Sequence, residues 1–293
     1  LAVVGEAGCG KTTIARTLIG LEALAKGEIV FDGKSVNERS QQPHIGLKQL
    51  RKRAQMIFQD PYESLNPRST IFEIVAEPLV VHGLIKDRQE RITAVRTALE
   101  DAGLRPADDY FTRYPHELSG GQRQRVVIAS AMVLQPELLI ADEPVSMLDV
   151  SIRAEILNLL RDLREKRGIS IVFITHDLST VAYFADRIAV MYLGRIVETG
   201  SMREVLKNPR HPYTQALLSV IPVPNPRLRK KRIILQGETP NPINIPSGCR
   251  FHPRCAHAIE HCRAVDPPLE RMADGRLAAC HRKQELEPYS VAE

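Results

Sequence analysis

The sequence predicts an α/β fold, a parallel sheet covered by helices on both faces, followed by a small cysteine-rich C-terminal tail. Three observations carry that expectation. Residues 1–200 alternate short apolar runs with stretches of helical periodicity. The runs LAVVG (1–5), ELLIADEP (137–144) and ISIVFITHD (169–177) are apolar without alternation, as strands buried on both faces are. After Gly200 the composition turns proline-rich and then gathers cysteine.

Taken in order, LAVVG is a buried strand ending in glycine, and a helical stretch starts at Lys11. Because the chain opens on Leu1 in mid-strand, it is expected to be a fragment lacking its true N-terminus. Between Asp87 and Ala102, the residues Ile92, Val95, Leu99 and Ala102 recur at helical spacing, and Gly103 is the stop. ELLIADEP is a strand that ends at two carboxylates. From Ser151 to Arg167, Ile152, Ile156, Leu159 or Leu160, and Leu163 line one face of a helix that Gly168 ends. ISIVFITHD is the next buried strand, and RIAVMYLGRIVETG (187–200) reads as a hairpin. Prolines then cluster at 209, 212, 222, 224 and 226 and again at 240, 242 and 246. The expected division is a main domain over 1–200 with a helical subdomain at about 60–135, a proline-rich linker over 201–246 and a cysteine-rich region over 247–293.

The chain has 293 residues, 43% of them hydrophobic, and a formal net charge of +5. No signal peptide is visible. No apolar run reaches the ~18 residues that span a bilayer, the longest candidate, Val126 to Ile140, being broken by Ser130, Gln135, Pro136 and Glu137. A membrane role is therefore expected only through partners. The basic run RLRKKR (227–232) reads as a solvated linker, with an interaction patch as the alternative.

GEAGCGKT (Gly5 to Thr12) fits G-x-x-x-x-G-K-[ST] between a strand and a helix. Gly5, Gly8 and Gly10, with Cys9 among them, let the loop curl so that backbone N–H groups point at phosphate oxygens. The helix that follows adds its positive end. Lys11 supplies charge to the β- and γ-phosphates, and Thr12, with Thr13 beside it, offers a hydroxyl to Mg²⁺. In LLIADE, Asp142 at the strand end can hold Mg²⁺ through water, and Glu143 can activate an attacking water. At Cys9 the expectation is that any small residue fits; the alternative is a reactive thiol, since a helix N-terminus beside Lys11 lowers a thiol's pKa.

ELSGGQRQRVVIASAM contains Leu118-Ser119-Gly120-Gly121-Gln122, which resembles the signature of ABC-type ATPases. Gln59 in MIFQDPYESLNP matches the Q-loop, where the family also places a Mg²⁺ contact. His176 in FITHD matches the switch histidine, and SMLD (146–149) matches the D-loop, with Met147 where the family usually has alanine and Asp149 in place. The resemblance implies a P-loop NTPase of the ABC ATPase type with a helical subdomain. It further implies a head-to-tail dimer in which ATP lies between one subunit's P-loop and the other's signature, with Glu143, His176 and Gln59 as catalytic residues. The sequence supplies a physical reason: Ser119 and the two glycines open a second helix N-terminus that attracts anions. The family's adenine-stacking aromatic would precede Leu1.

FQDPYESLNPRSTIFEIVAEPL, YPHELSGGQRQR and HPYTQALLSVIP resemble the ATPase subunits of bacterial oligopeptide and dipeptide importers, a group whose relatives also take up nickel or glutathione. The resemblance implies a peripheral protein at the cytoplasmic face of the bacterial inner membrane. Its partners would be two permease subunits, a second ATPase subunit and an extracytoplasmic peptide-binding protein, with no nucleic acid. The alternative is a soluble, nucleic-acid-linked ABC ATPase; it usually carries two cassettes or long coiled coils, and this chain has one cassette and no sustained heptads. A non-enzymatic regulatory subunit is disfavoured by intact Lys11, Asp142, Glu143 and His176.

Four of the five cysteines, Cys249, Cys255, Cys262 and Cys280, lie in the tail at C-x5-C-x6-C-x17-C. A segment of this length, below the roughly 40 residues at which a chain needs a staple, is expected to hold a link. Disulfides are disfavoured in a reducing compartment. Zn²⁺, with His252, His257, His261 and His281 nearby, an iron–sulfur cluster, and four simply reduced thiols without metal all remain open. The resemblance favours a 4Fe–4S cluster beside ATP and Mg²⁺.

Overall fold

A computed structural model of the protein describes residues 1–36, 43–221 and 232–286. In chain order, β1 (Ala2–Val4) leads through the glycine-rich loop into α1 (Lys11–Leu18). A hairpin of β2 (Val30–Phe31) and β3 (Lys34–Ser35), then α2 (Leu47–Arg53) and β4 (Ala54–Ile57), follow. A helical run comes next: α3 (Pro61–Ser64), α4 (Ile71–His82), α5 (Arg88–Asp101) and α6 (Gly120–Met132). Alternation resumes with β5 (Leu138–Asp142), α7 (Val150–Arg167), β6 (Ser170–Thr175), α8 (Leu178–Phe184), β7 (Arg187–Tyr192) and β8 (Arg195–Ser201). The chain continues with α9 (Met202–Lys207), α10 (Pro212–Ser219), α11 (Glu260–Ala264), β9 (Glu270–Arg271) and β10 (Leu277–Ala278).

The chain divides into two compact units, one of residues 12–172, the other of 1–11 with 173–293. In the first, β4 and β5 pair in parallel from Ala54↔Leu138 to Ile57↔Ala141. Its helices form where the sequence supplies both ends. Thr70 and Glu73 make a capping box on α4, and Gly83 ends it at φ +65°. Asp87 caps α5 by accepting the Glu90 N–H. α4, α5 and α6 pack on one another and bury Ile71, Val75, Val95, Leu99, Val126 and Ile128. The apolar stretch from Val126 to Ile140 is thus the end of α6, a turn and the start of β5. No helix of the described residues is long and apolar enough to cross a membrane.

In the second unit β1 lies between β6 and β7, parallel to both. β7 turns back into β8 as the expected hairpin, through Leu193 and Gly194, both at positive φ. β10 pairs antiparallel with β8, and β9 with β10. One core joins Val4, Val181, Ile188, Tyr192, Val205, Tyr213 and Phe251.

Two expectations are corrected. Residues 201–246 are not simply a linker: α9 and α10 occupy 202–219, and Met202, Val205 and Tyr213 are buried in the unit's core. Pro212 starts α10, where its missing N–H costs nothing, so the proline cluster marks a helix start rather than extended chain. Pro222, Pro224, Pro226 and residues 227–231 of the basic run lie outside the described residues. The second correction concerns the need for a staple in the tail. Phe251 is 2% exposed inside the unit's core, and β10 extends the sheet, so the tail does not rely on its own few apolar residues.

Candidate nucleotide site

The phosphate loop is shaped by what surrounds it in its own unit. A Cβ on Gly5 would stand 2.2 Å from the Met191 carbonyl oxygen, so only glycine fits. Gly8 and Gly10 adopt φ +75° and +99°. The Gly194 N–H donates to the Cys9 carbonyl at 2.8 Å, tying the loop to the β7–β8 turn. Lys11 is 6% exposed, and its ammonium donates to the Gly5 carbonyl at 2.8 Å and the Glu6 carbonyl at 2.9 Å. The charge expected at the phosphates is thus held inside the curl of the loop.

Cys9 fits the small-residue reading and not the reactive-thiol alternative. It is 2% exposed, and burial raises its pKa, a larger effect than the lowering by Lys11. Its side chain lies inside the loop, where a Cβ on Gly5 would stand 2.8 Å from Cys9 Sγ.

In the other unit, Thr12, Gln59 and Asp142 line one cavity of about 550 Å³ together with Arg16, Asp60 and Ser64. Asp142 is 1% exposed at the end of β5. A hydroxyl, an amide oxygen and a carboxylate are hard oxygen donors, the set that suits Mg²⁺. Glu143, the next residue, sits at φ +47°, which a non-glycine residue rarely adopts. Ser146 stabilises that turn by donating its N–H and hydroxyl to the Glu143 carbonyl at 3.1 and 3.0 Å. Gln59 Nε2 reaches Glu143 Oε2 at 3.5 Å. Backbone strain of this kind concentrates at functional sites.

The Ser-Gly-Gly-Gln segment opens α6 with a capping box: Ser119 accepts the Gln122 N–H and Gln122 accepts the Ser119 N–H. A Cβ on Gly121 would lie 2.8 Å from Ile152 Cγ2, so glycine there lets α6 pack against α7. Gly120, with Tyr62 and Leu148 at ordinary contact distance, has more room. Asp149 stands exposed at the N-terminus of α7, where its carbonyl accepts the Arg153 N–H at 2.8 Å. Met147 is exposed. His176 is exposed just after β6, and Thr13 is exposed in the first turn of α1.

Cys249, Cys255, Cys262 and Cys280 line one small cavity of about 10 Å³, with His252, His257 and His281 at its walls. All five cysteines are free. Burial raises the Cys249 thiol and pushes Cys255 and Cys280 up to about 11. Among the described residues, however, no three His, Cys, Asp or Glu side chains are grouped so as to hold a metal ion. The thiols face a common space without forming a ready-made ion site.

Sequence reasoning missed the residues that fasten the loop from outside. Glu6 donates its N–H to Tyr213 Oη at 2.9 Å and accepts from Arg254 and Thr239 through its carboxylate. These partners stand 207, 248 and 233 residues away in the chain, beyond any local spacing.

A curled glycine loop that holds a lysine, followed by a hydroxyl sharing a cavity with a strand-end aspartate, is the mark of a P-loop nucleoside triphosphatase. The capped Ser-Gly-Gly-Gln helix start narrows that class to the ABC ATPases. Comparison with known proteins agrees. The ABC transporter family matches residues 1–146, and the oligopeptide/dipeptide transporter C-terminal region matches residues 197–262. The chain is 49% identical over 283 residues to the dipeptide transport ATP-binding protein DppF of Haemophilus influenzae, covering 96% of this chain and 84% of the relative. It is 46% identical over 281 residues to the putative oligopeptide transport ATP-binding protein YkfD of Bacillus subtilis, covering 95% and 84%. Among solved structures, CbiO1 of Clostridium perfringens, part of the ABC transporter complex CbiONQ, superposes with a TM-score of 0.61 at 31% identity, over 70% of this chain and 77% of that one. The ATP-binding cassette MJ0796, in a dimeric post-hydrolysis state with ADP and Pi, gives 0.59 at 28%, over 69% and 84%. The chain belongs to the ABC transporter ATPases that carry the oligopeptide/dipeptide transporter C-terminal region.

Proposed function

We propose that this protein is the ATP-hydrolysing subunit of a bacterial importer of di- or oligopeptides. The observation that carries the reading is the cavity shared by Thr12, Gln59 and Asp142, in a chain whose residues 197–262 match the oligopeptide/dipeptide transporter region. Relatives named for dipeptide and oligopeptide transport support the substrate class. The reading includes two permease subunits, a second ATPase subunit and an extracytoplasmic peptide-binding protein, with the chain peripheral on the cytoplasmic face of the inner membrane. A nucleic-acid-linked ATPase is not favoured by these relatives.

In this reading the backbone N–H groups from Gly8 to Thr13 cradle the phosphates and Lys11 pairs with their charge. Thr12, Gln59 and Asp142 are the residues that would hold Mg²⁺. A bound ion would supply positive charge to offset the negative charge of the ATP phosphates. Glu143 accepts the proton of the attacking water, and Gln59, within reach of Glu143, helps place that water. His176 steadies the γ-phosphate. Ser119, Gly120, Gly121 and Gln122 of one subunit close over the ATP of the other, with Asp149 at the contact between them. Bringing two helix N-termini onto one γ-phosphate is a task that a head-to-tail dimer performs.

The tail reading extends to a 4Fe–4S cluster on Cys249, Cys255, Cys262 and Cys280. What supports it is the convergence of four thiols on one cavity, the donor set of such clusters. Burial keeps the Cys255 and Cys280 thiols protonated near neutral pH, so loading them releases protons and is favoured by rising pH. Iron and sulfide analysis of anaerobically purified protein tests it: about four of each per chain supports the cluster, stoichiometric zinc replaces it, and four titratable thiols without metal dismiss both.

The function is tested on the complex purified with its membrane subunits. ATP hydrolysis should rise when peptide-loaded binding protein is added. Hydrolysis that responds to DNA and not to peptide would overturn the assignment.

A further inference from the structure

The far side of the phosphate loop is built by the C-terminal region. Glu6, the second residue of the loop, is held at three points within one unit. Its N–H donates to Tyr213 Oη at 2.9 Å. Its carboxylate oxygen Oε2 accepts from Arg254 Nη1 at 2.8 Å and from Thr239 Oγ1 at 2.7 Å. Oε1 accepts from Arg254 Nη2 at 3.4 Å. On the near side, the Glu6 carbonyl is one of the two on which the Lys11 ammonium rests. The peptide that positions Lys11 is therefore clamped from outside.

The clamp is stiff. The Arg254 side chain is 9% exposed, on a short turn whose N–H returns to the Phe251 carbonyl at 3.0 Å. Phe251 is 2% exposed and packs 5.4 Å from the Tyr213 ring and 5.2 Å, edge-on, from Tyr192. Tyr213 is fully buried, so its hydroxyl has little freedom to follow a moving loop. A second tie runs nearby: Arg250 donates to the Leu193 carbonyl, and the adjacent Gly194 N–H holds the Cys9 carbonyl. A surface ion pair would contribute little, whereas a mostly buried, bidentate, charge-assisted pair fixes geometry.

We propose that Arg254, Thr239 and Tyr213 are positioning residues of the ATPase, setting the phosphate loop and the place of Lys11 through Glu6. The C-terminal region is then a working part of the nucleotide site and not an appendage. The proposal rests on the reading of Gly5–Thr12 as the ATP site.

The test is ATP affinity of the full chain by equilibrium titration, beside its melting temperature without nucleotide. Arg254→Ala and Tyr213→Phe should each weaken ATP binding, roughly 5- to 30-fold for the former and less for the latter, the range for residues coupled in one network. Arg254→Lys should recover part of the loss, since it keeps the charge but not the fork. Because Arg254 acts through Glu6, the double variant Glu6→Gln with Arg254→Ala should bind no worse than the weaker-binding single variant. A merely structural role would lower the melting temperature and leave the affinity of the folded fraction unchanged. Unchanged affinity in Arg254→Ala and Tyr213→Phe, or losses that add in the double variant, overturn the proposal. Should Arg254→Ala fail to fold, Tyr213→Phe and Arg254→Lys decide it by the same measure. A wild-type chain that binds no ATP overturns the site reading and this inference with it; a wild type that binds while the variants match it overturns this inference alone.

Discussion

Replacing Arg276 with Met tests how the tail hairpin is attached to the sheet. Arg276 is 3% exposed and lies just before β10. Its stem passes over Gly200 of β8, where a Cβ would meet Arg276 Cγ at 2.6 Å. Its guanidinium donates to the Glu204 and Asn208 carbonyls at 3.1 and 2.5 Å and to the Asp274 carboxylate, and stands 3.7 Å from Glu198. Glu198 is fully buried, and its carboxylate also accepts the Arg210 and His211 N–H groups. Methionine fills the stem's volume but leaves two carbonyls without this donor and a buried carboxylate without its counter-charge. Removing one partner of a buried pair costs about 3–5 kcal/mol, which lowers the melting temperature of a unit this size by of order 10 °C. Glu198 has an escape, since burial already raises its pKa and loss of Arg276 raises it further. A group whose folded pKa is raised stabilises below its unfolded pKa and loses that contribution as pH rises. The deficit of Arg276→Met relative to wild type should therefore be smaller at pH 5 than at pH 8. Adding Glu198→Gln should recover part of it at pH 8. Thermal melts at both pH values, with hydrogen exchange along β8 and β10, measure this. A loss under 1 kcal/mol, or a deficit that grows on acidification, would refute the reasoning.

Three further outcomes follow from the site and its supports. Glu143→Gln should keep ATP binding and reduce turnover by roughly 10²–10⁴-fold, the weight of a positioned base; steady-state hydrolysis within a few-fold of wild type would reject Glu143 in that role. Gly121→Ala places a methyl 2.8 Å from Ile152 Cγ2 and should destabilise by about 1–3 kcal/mol, with Ile152→Ala restoring part of it; a melting temperature that neither falls nor recovers counts against this packing. His211 is buried, accepts the Tyr213 N–H at Nδ1, and has its pKa pushed down to about 3 by burial. A neutral buried histidine loses stability as pH falls below the ordinary value near 6.5, about 2 kcal/mol of it by pH 5. His211→Asn should flatten that slope in urea titrations at pH 7 and pH 5, and an unchanged slope would exclude His211 as its source.

Much of this was legible in the chain because its causes are local. A strand that is apolar throughout, a loop of glycines before Lys11, a serine and two glycines ahead of a helical stretch and a glycine after a periodic run each act over one or two turns of backbone. Those signals placed β1, the phosphate loop, α5, α6, β5, α7 and the β7–β8 hairpin, and they picked out Asp142 and Glu143 as a pair. Tertiary structure decided what depends on distant partners. Prolines at 209 and 212 read as a linker, and only the burial of Met202, Val205 and Tyr213 in a core made by β1 and β7 shows the helices. Cys9 stands beside a lysine in the sequence, yet desolvation outweighs that charge because the loop folds over the thiol. The tail's apolar residues are too few for a core of their own, and Phe251 finds one by packing against Tyr192 and Tyr213. Glu6 gives no local sign of its role, since Tyr213, Thr239 and Arg254 reach it across more than 200 residues. Hydrogen bonds and desolvation act through space within a few ångströms, and which residues stand that close is settled by the packed chain, not by their order along it.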